Sequence, residues 1–267
     1  MVERKRPKPP LWTWLTVYAV IGILAMPLMM MILTSVFEKS ADSGWQFTWR
    51  YWQEVLSDQQ LGDNVINSLI VAVVASSGAV IIGTVAALAL AKTRFFGRQF
   101  LQINAMLSLV FPEIVFALSL LALFFILGFR LGLETVILAH ISFALPYVML
   151  TVGARVASLD QLIDDSAYDL GANDWQILTK IHLPLLAPAI VSGFFLSFLI
   201  SFDDFLITFF VNGIGSDTLP IKLYTSMKSG ITPQLNALST IIFLASSIFV
   251  FVLLRSSLFE KTLDTIN

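Results

Sequence analysis

Three carboxylates lie inside stretches that otherwise carry no charge: Glu113 in "LVFPEIVFAL", and the adjacent Asp203 and Asp204 in "LISFDDFLITFF". An ionised carboxylate at the centre of an apolar layer costs at least ~2.5–3.5 kcal/mol on membrane-insertion scales. Three of them call for compensation by water, by a cation or by one another. The runs that carry them contain no Lys or Arg, so the compensation expected from the sequence is a cation on a water-lined path. Phe111, Phe116, Phe202 and Phe205 flank the acids and offer ring faces for cation–π contact. With 22 phenylalanines in the chain, any single ring is first expected to pack or to face lipid. Glu113, Asp203, Asp204, Phe111 and Phe202 are the candidate pathway residues. Adjacent helical residues point ~100° apart, so one aspartate is expected on the path and the other hydrogen-bonded to a neighbouring helix. His140 is expected to be a hydrogen-bonded packing residue and His182 a surface residue.

The elements that must position these acids follow from composition. The chain is 57% hydrophobic and 13% charged, where a soluble domain carries about 25% charged residues. Too little polar surface remains to cover a water-exposed body, so the fold class expected is an all-α polytopic membrane protein. Six apolar runs are long enough to cross a ~30 Å hydrocarbon core: Leu11–Phe37, Val65–Ala91, Leu101–Leu127, Leu133–Arg155, Leu185–Val211 and Ala237–Leu254. Pro27, Pro112 and Pro146 are expected to be tolerated inside this bundle. In unbroken helices Glu113 would lie ~18 Å and Asp203 ~22 Å above the same membrane face. The start, "MVERKRPKPPLWTWLTVYAV", has a basic flank, but its apolar run is too long for a signal sequence, so an uncleaved first span is expected. There is no cysteine, and no metal ion or cofactor is expected. Neither G-x-S-x-G nor H-E-x-x-H occurs, which sets aside an intramembrane hydrolase.

With the N-terminus inside, eleven of the 16 basic residues fall in cytoplasmic segments and five in outer ones. The positive-inside rule then puts both termini in the cytoplasm. Two outer segments are sizeable. Residues 38–64 hold Trp45, Trp49, Tyr51 and Trp52, an expected interfacial aromatic anchor. Residues 212–236 read as turns around a short amphipathic piece, and either segment offers a surface to an external partner.

Between the fourth and fifth runs lies "DDSAYDLGANDWQILTKIHLPLLAP". Good helix formers run to Leu170, and Gly171 suits a left-handed C-cap. Asn173 suits an N-cap, with Asp174 favourable in the following first turn. Trp175, Leu178 and Ile181 or His182 then share one face, and Pro184 is expected to end this short helix before the fifth span. Helix, glycine bend and helix make an apolar knob with an acidic flank. Anionic inner-leaflet lipid would repel it, so a protein with a basic-rimmed cleft suits it better.

Asp165, Ser166, Ala167, Leu170, Gly171 and Ala172, followed by Ile181, Leu183, Pro184 and Pro188, resemble the EAA loop of ABC importer permeases. That family usually has Glu then Ala where this chain has Asp165 and Ser166. The resemblance implies the type I importer permease fold and a coupling helix around Trp175 that seats in a cytosolic ATPase. The coupling residues it implies are Asp165, Ser166, Ala167, Leu170, Gly171, Ala172, Trp175, Leu178, Ile181 and Pro184. No G-x-x-x-x-G-K-[ST] loop occurs, so the chain is not expected to be that ATPase itself, nor any other enzyme.

"SFDDFLITFFVNG" and "TLPIKLYTSMKSGITPQLNALSTI" extend the likeness over the whole chain, to the permease subunits of spermidine/putrescine ABC importers of the PotC type. This resemblance implies a multi-pass subunit of the cell inner membrane that forms half of a polyamine pathway. Its implied partners are a PotA-like ATPase homodimer, a second PotB-like permease, a PotD-like extracytoplasmic binding protein and membrane lipid, with no nucleic acid. The expected organisation is a basic N-terminus (1–10), a first helix (11–37), an extracytoplasmic loop (38–64), a five-helix core (65–254) with its coupling loop at about 156–184, and a cytoplasmic C-terminus (255–267). The competing readings are an importer permease for iron, thiamine or phosphonate, and a stand-alone cation-coupled secondary transporter. The latter would have no use for the EAA-like loop.

Overall fold

A computed structural model describes residues 11–40, 44–160, 162–228, 230 and 232–255. The expected basic N-terminus (1–10) and the expected tail beyond Arg255 lie outside them. The chain forms two compact units, residues 1–59 with 225–267, and residues 60–224.

In the first unit, α1 (Leu11–Val36) runs through Pro27 without interruption. Two short antiparallel strands follow, β1 (Phe37–Ser40) and β2 (Gly44–Phe47), with Phe37 opposite Phe47. This short hairpin is the one β element among the described residues of an otherwise helical chain. Its return strand begins at Gly44, whose φ of 76° is open to glycine at little cost. Phe37, Phe47, Trp49 and Trp52 then stack edge to face in a chain. α2 (Arg50–Ser57) buries Tyr51 and Val55 at i, i+4 and pairs Arg50 with Glu54 at 2.8 Å on its outer face. α12 (Pro233–Arg255) packs on α1 and α2. Asn236 donates to Thr34 at 3.0 Å and Gln234 to Glu54 at 2.8 Å. The last helix of the expected core therefore packs with the first span.

The second unit is built on α3 (Gln59–Lys92) and α6 (Leu133–Ala157). Lipid offers no hydrophobic drive between helices, so small residues and close approach hold them together. Ala72, Ala75, Ala79 and Ala87 of α3 are buried. A Cβ on Gly83 would stand 2.7 Å from Val148, so only glycine lets these two helices meet there. α4 (Arg98–Val110) and α5 (Glu113–Ile126) precede α6. After it come α7 (Leu162–Asp169), α8 (Asp174–Ile177), a π-turn (Leu178–His182) and α9 (Leu183–Phe202). α10 (Leu206–Val211) and the part of α11 (Leu219–Lys228) up to Tyr224 complete it. α9 lies along α6, where Leu186 is fully buried beside Val148 and Val152.

Four helices are long and apolar enough to cross a membrane, Trp12–Val36, Gln59–Lys92, Leu133–Ala157 and Asp174–Phe202, and two shorter apolar ones are Glu113–Ile126 and Pro233–Ile248. Two expected spans are not single helices. The run Leu101–Leu127 breaks at Phe111–Pro112, where both residues are extended (ψ 139° and 129°). Pro112 supplies no N–H and pushes the residue before it out of the helical region. It is thus a breaker, while Pro27 and Pro146 stay inside helices. The run Leu185–Val211 breaks after Phe202, so Asp203 closes α9 and Asp204 stands before α10.

Pro184 does not end the short helix either. It lies in the first turn of α9, and helical backbone continues from Asp174 to Phe202. A proline ring clashes with the carbonyl four residues back. The π-turn ahead of it widens the ring of bonds, with Leu183 N–H donating to Leu178 O, and carries the chain past the clash.

Candidate functional site

Both helix breaks meet at one cavity. Glu113, Asp203 and Asp204 line it together with Phe143, Tyr147 and Phe205, and its volume is about 550 Å³. The breaks also set the local field. Glu113 is the first residue of α5, where the positive end of the helix dipole favours a carboxylate. Asp203 caps the C-terminus of α9, where the dipole adds to its negative charge. A cation is the natural complement of that end.

The two aspartates divide as their helical geometry requires. Asp203 is exposed to the cavity and its carboxylate has no hydrogen-bond or ion-pair partner among the described residues. Asp204 is buried, 7% exposed, and its oxygens accept from Ile207 N at 3.3 Å, Thr208 N at 2.9 Å and the Thr208 hydroxyl at 3.0 Å. A side chain that takes the first N–H groups of the next helix competes with the helix before it, which is why α9 stops here. His140 of α6 adds Nε2 at 3.1 Å from the same carboxylate. Its Nδ1 lies 2.6 Å from the Ser201 hydroxyl of α9. Glu113 and Asp204 line the same cavity.

Phe111 and Phe202 do not line the cavity. Phe111 is exposed at the α4–α5 break, and Phe202 stacks on Phe198 at 5.8 Å. Phe205 lines it and packs on Tyr224 at 4.5 Å. His140 faces Asp204 at 3.1 Å, an imidazole neighbour that was not assigned to the acids from the sequence. A signal for this was present in the sequence. His140, Phe143 and Tyr147 recur at i, i+3, i+7, one stripe of a helix.

The segment after α6 has the expected bend. Gly171 has φ of 80°, its N–H bonds to Tyr168 O at 2.9 Å and that of Ala172 to Ala167 O at 3.0 Å, the two bonds of a Schellman cap. Asn173 and Gln176 exchange side-chain bonds with each other's N–H at 2.9 and 3.0 Å, a full capping box at α8. Ala167 is buried, whereas Asp165, Ser166, Leu170 (89% exposed) and Trp175 (70% exposed) face out. Trp175 is exposed, and Leu178 and Ile181 are half-buried. The π-turn adds a residue to that turn, and Ile177 and His182 are the buried pair.

His182 is accordingly not a surface residue. Its Nε2 lies 2.8 Å from Asp164 of α7, and the other oxygen of Asp164 accepts from Lys92 at the end of α3. One carboxylate thus ties α7 to both neighbouring helices. Burial pushes the Asp164 carboxyl up, but Lys92 and His182 together outweigh it and hold it below the usual carboxylate range. Tyr168 donates to Asp174 at 2.7 Å, which raises its phenol and links α7 to α8 across the bend.

Long apolar helices, with two of the apolar runs broken beside acids, suit a subunit that carries solutes across a membrane. The chain belongs to the family of inner membrane components of binding-protein-dependent transport systems, which its residues 79–261 match. It is 37% identical over 230 residues to the spermidine/putrescine transport system permease protein PotC of Haemophilus influenzae, across 86% of this chain and 90% of that one. It is 36% identical over 233 residues to PotC of Escherichia coli (strain K12), across 87% and 88% of the two chains. To the putrescine transport system permease protein PotI of the same strain it is 34% identical over 249 residues, across 90% and 89%. Among solved structures, a bacterial ABC transporter that imports alginate superposes with a TM-score of 0.76 at 16% identity, over 94% of this chain and all (100%) of that one. The MetNI methionine ABC transporter superposes at 0.61 and 16% identity, over 72% and 91%. These two likenesses concern the fold alone.

Proposed function

We propose that the chain is the permease subunit of an ATP-driven polyamine importer and forms half of its translocation path, with both termini cytoplasmic. The observation that carries the reading is the cavity at the two helix breaks, where Asp203 and Glu113 face a common space at the C-terminal end of α9. An extended di- or triamine presents separated ammonium groups, and a carboxylate at the negative end of a helix dipole is a suitable counter-charge. An anion such as sulfate or phosphonate would meet repulsion there. The likeness to spermidine and putrescine permeases supports the same substrate class.

Leu170 and Trp175 on the capped bend form the knob that docks in a cytosolic ATPase homodimer, and the continuous helix from Asp174 to Phe202 links that knob to the Asp203 break. A second, related permease closes the other half of the path, and an extracytoplasmic binding protein delivers the polyamine. The excess of basic residues in the segments assigned to the cytoplasm supports this orientation.

The test is uptake of labelled spermidine and putrescine by cells that carry the chain with its partners. Asp203→Asn is expected to lower uptake about tenfold or more, the loss of one charge-assisted contact, with membrane assembly unchanged. Wild-type uptake by both Asp203→Asn and Glu113→Gln would overturn the acidic path. No polyamine uptake by the intact complex would overturn the substrate class.

A further inference from the structure

The adjacent aspartates are in opposite states. The Asp203 carboxylate is exposed and without a partner among the described residues. Asp204 Oδ2 already receives Thr208 N and the Thr208 hydroxyl, at 2.9 and 3.0 Å, and His140 Nε2 stands 3.1 Å from it. Two donors and an imidazole nitrogen occupy the surroundings of that oxygen, which leaves little of it for an ammonium group. Asp204 Oδ1 takes Ile207 N at 3.3 Å.

His140 is 2% exposed and reaches both sides of the α9–α10 break. Nδ1 meets Ser201, the last buried residue of α9, at 2.6 Å, and Nε2 meets Asp204 and Thr208 beyond the break. The Thr208 hydroxyl gives its one proton to Asp204, so Nε2 carries the ring proton and points it at the Thr208–Asp204 pair, 3.0 Å from Thr208 Oγ1 and 3.1 Å from the carboxylate. Nδ1 is left to bond the Ser201 hydroxyl. One imidazole on α6 thereby holds the two ends of the broken helix at a fixed separation, with Asp203 between them.

We propose that His140 is a positioning residue for substrate binding: it holds Asp204 out of contact with the ligand and pins the break, so that Asp203 is the carboxylate aimed at the polyamine's ammonium group. Only the identity of the ligand rests on the function proposed above. The imidazole itself touches no substrate. It acts through Asp204, which makes its role separable from packing.

The two nitrogens can be tested apart. A Gln amide reaches about as far as Nε2, and an Asn amide about as far as Nδ1. In the assembled complex, His140→Gln keeps the donor to Asp204 and is expected to hold the KM for spermidine within about threefold of wild type. His140→Asn and His140→Ala lose that donor and are expected to raise KM about tenfold, the cost of one hydrogen bond to a charged group. In an Asp204→Asn background, His140→Ala is expected to add nothing further, since both changes break one bond. A packing role predicts equal effects of Gln and Asn, and effects that multiply with Asp204→Asn; either result overturns the proposal.

A second readout needs no substrate. The chain has no cysteine, so Asp203→Cys introduces a unique thiol at the break. Its labelling by a cationic thiol reagent is expected to change about fivefold or more with His140→Asn and little with His140→Gln, in proportion to the loss of the pinning bond. Labelling that is the same in both overturns the proposal. Absence of polyamine uptake by the wild-type complex would overturn the substrate class alone, and the labelling would still decide the role of His140.

Discussion

His140–Asp204 and His182–Asp164 are the same pair of side chains in two settings. The first has side chains 2% and 3% exposed and a separation of 3.1 Å; the second is 7% and 20% exposed at 2.8 Å. The first pair is sealed among hydroxyls, at a break where backbone groups need partners. The second has Lys92 as an additional cation and water at its edge. A buried ionised group deprived of its partner keeps its desolvation cost, whereas an exposed one is re-solvated. Near-identical chemistry is therefore expected to be indispensable in one place and adjustable in the other. That suits the two roles proposed above, a fixed binding geometry at one end of the helix from Asp174 to Phe202 and a coupling joint at the other.

The comparison breaks most sharply at His140. His140→Leu leaves the buried Asp204 carboxylate without its imidazole neighbour and is expected to cost about 3–5 kcal/mol, read as a lowered thermal unfolding midpoint of the purified complex. Losing the backbone bend should be next in size. Gly171 has φ of 80° and proline is held near −65°, so Gly171→Pro is expected to uncouple ATP hydrolysis from uptake. Unchanged ATP consumption per polyamine would remove the bend from the coupling path. Gly171→Ala probes the same backbone more gently, at about 1 kcal/mol for a left-handed position.

Asp164→Asn should have the smallest effect, about 0–1 kcal/mol, in keeping with a partly exposed pair. Its signature is the pH profile. The Asp164 carboxyl is held below its ordinary range, so its contribution is complete above an unfolded value of about 3.9 and is lost as pH falls through the lower, folded value. With the other five tryptophans replaced by Phe, Trp175 fluorescence on acidification should report that loss when Asp164 is kept and lack the step in Asp164→Asn. A step of equal size in both would sink the assignment.

Much of the segment from Asp164 to Pro188 was legible because its signals are local. Gly171 and Asn173 cap helices through bonds that close within a few residues, and the structure has both caps. The buried acids were legible as exceptions in apolar runs. The helix breaks were less so. Pro112 breaks a helix while Pro27 and Pro146 do not, a difference that proline chemistry alone does not contain. Pro184 misled for a related reason, since a π-turn in the preceding residues lets the helix pass. Phe111 and Phe202 were chosen for proximity in sequence, and neither lines the cavity.

What the sequence by itself determined was the inventory: apolar runs of membrane length, three acids within them, a capped polar bend, and the resemblance these carry. Composition and short-range hydrogen bonding decide those features, and both are properties of the chain alone. What only the tertiary structure decided was the company each group keeps. Ser201 lies 61 residues from His140 and Asp164 lies 72 from Lys92. Which of two adjacent aspartates is buried, and which histidine is its partner, depends on helices brought side by side by close packing, and sequence distance has no bearing on that.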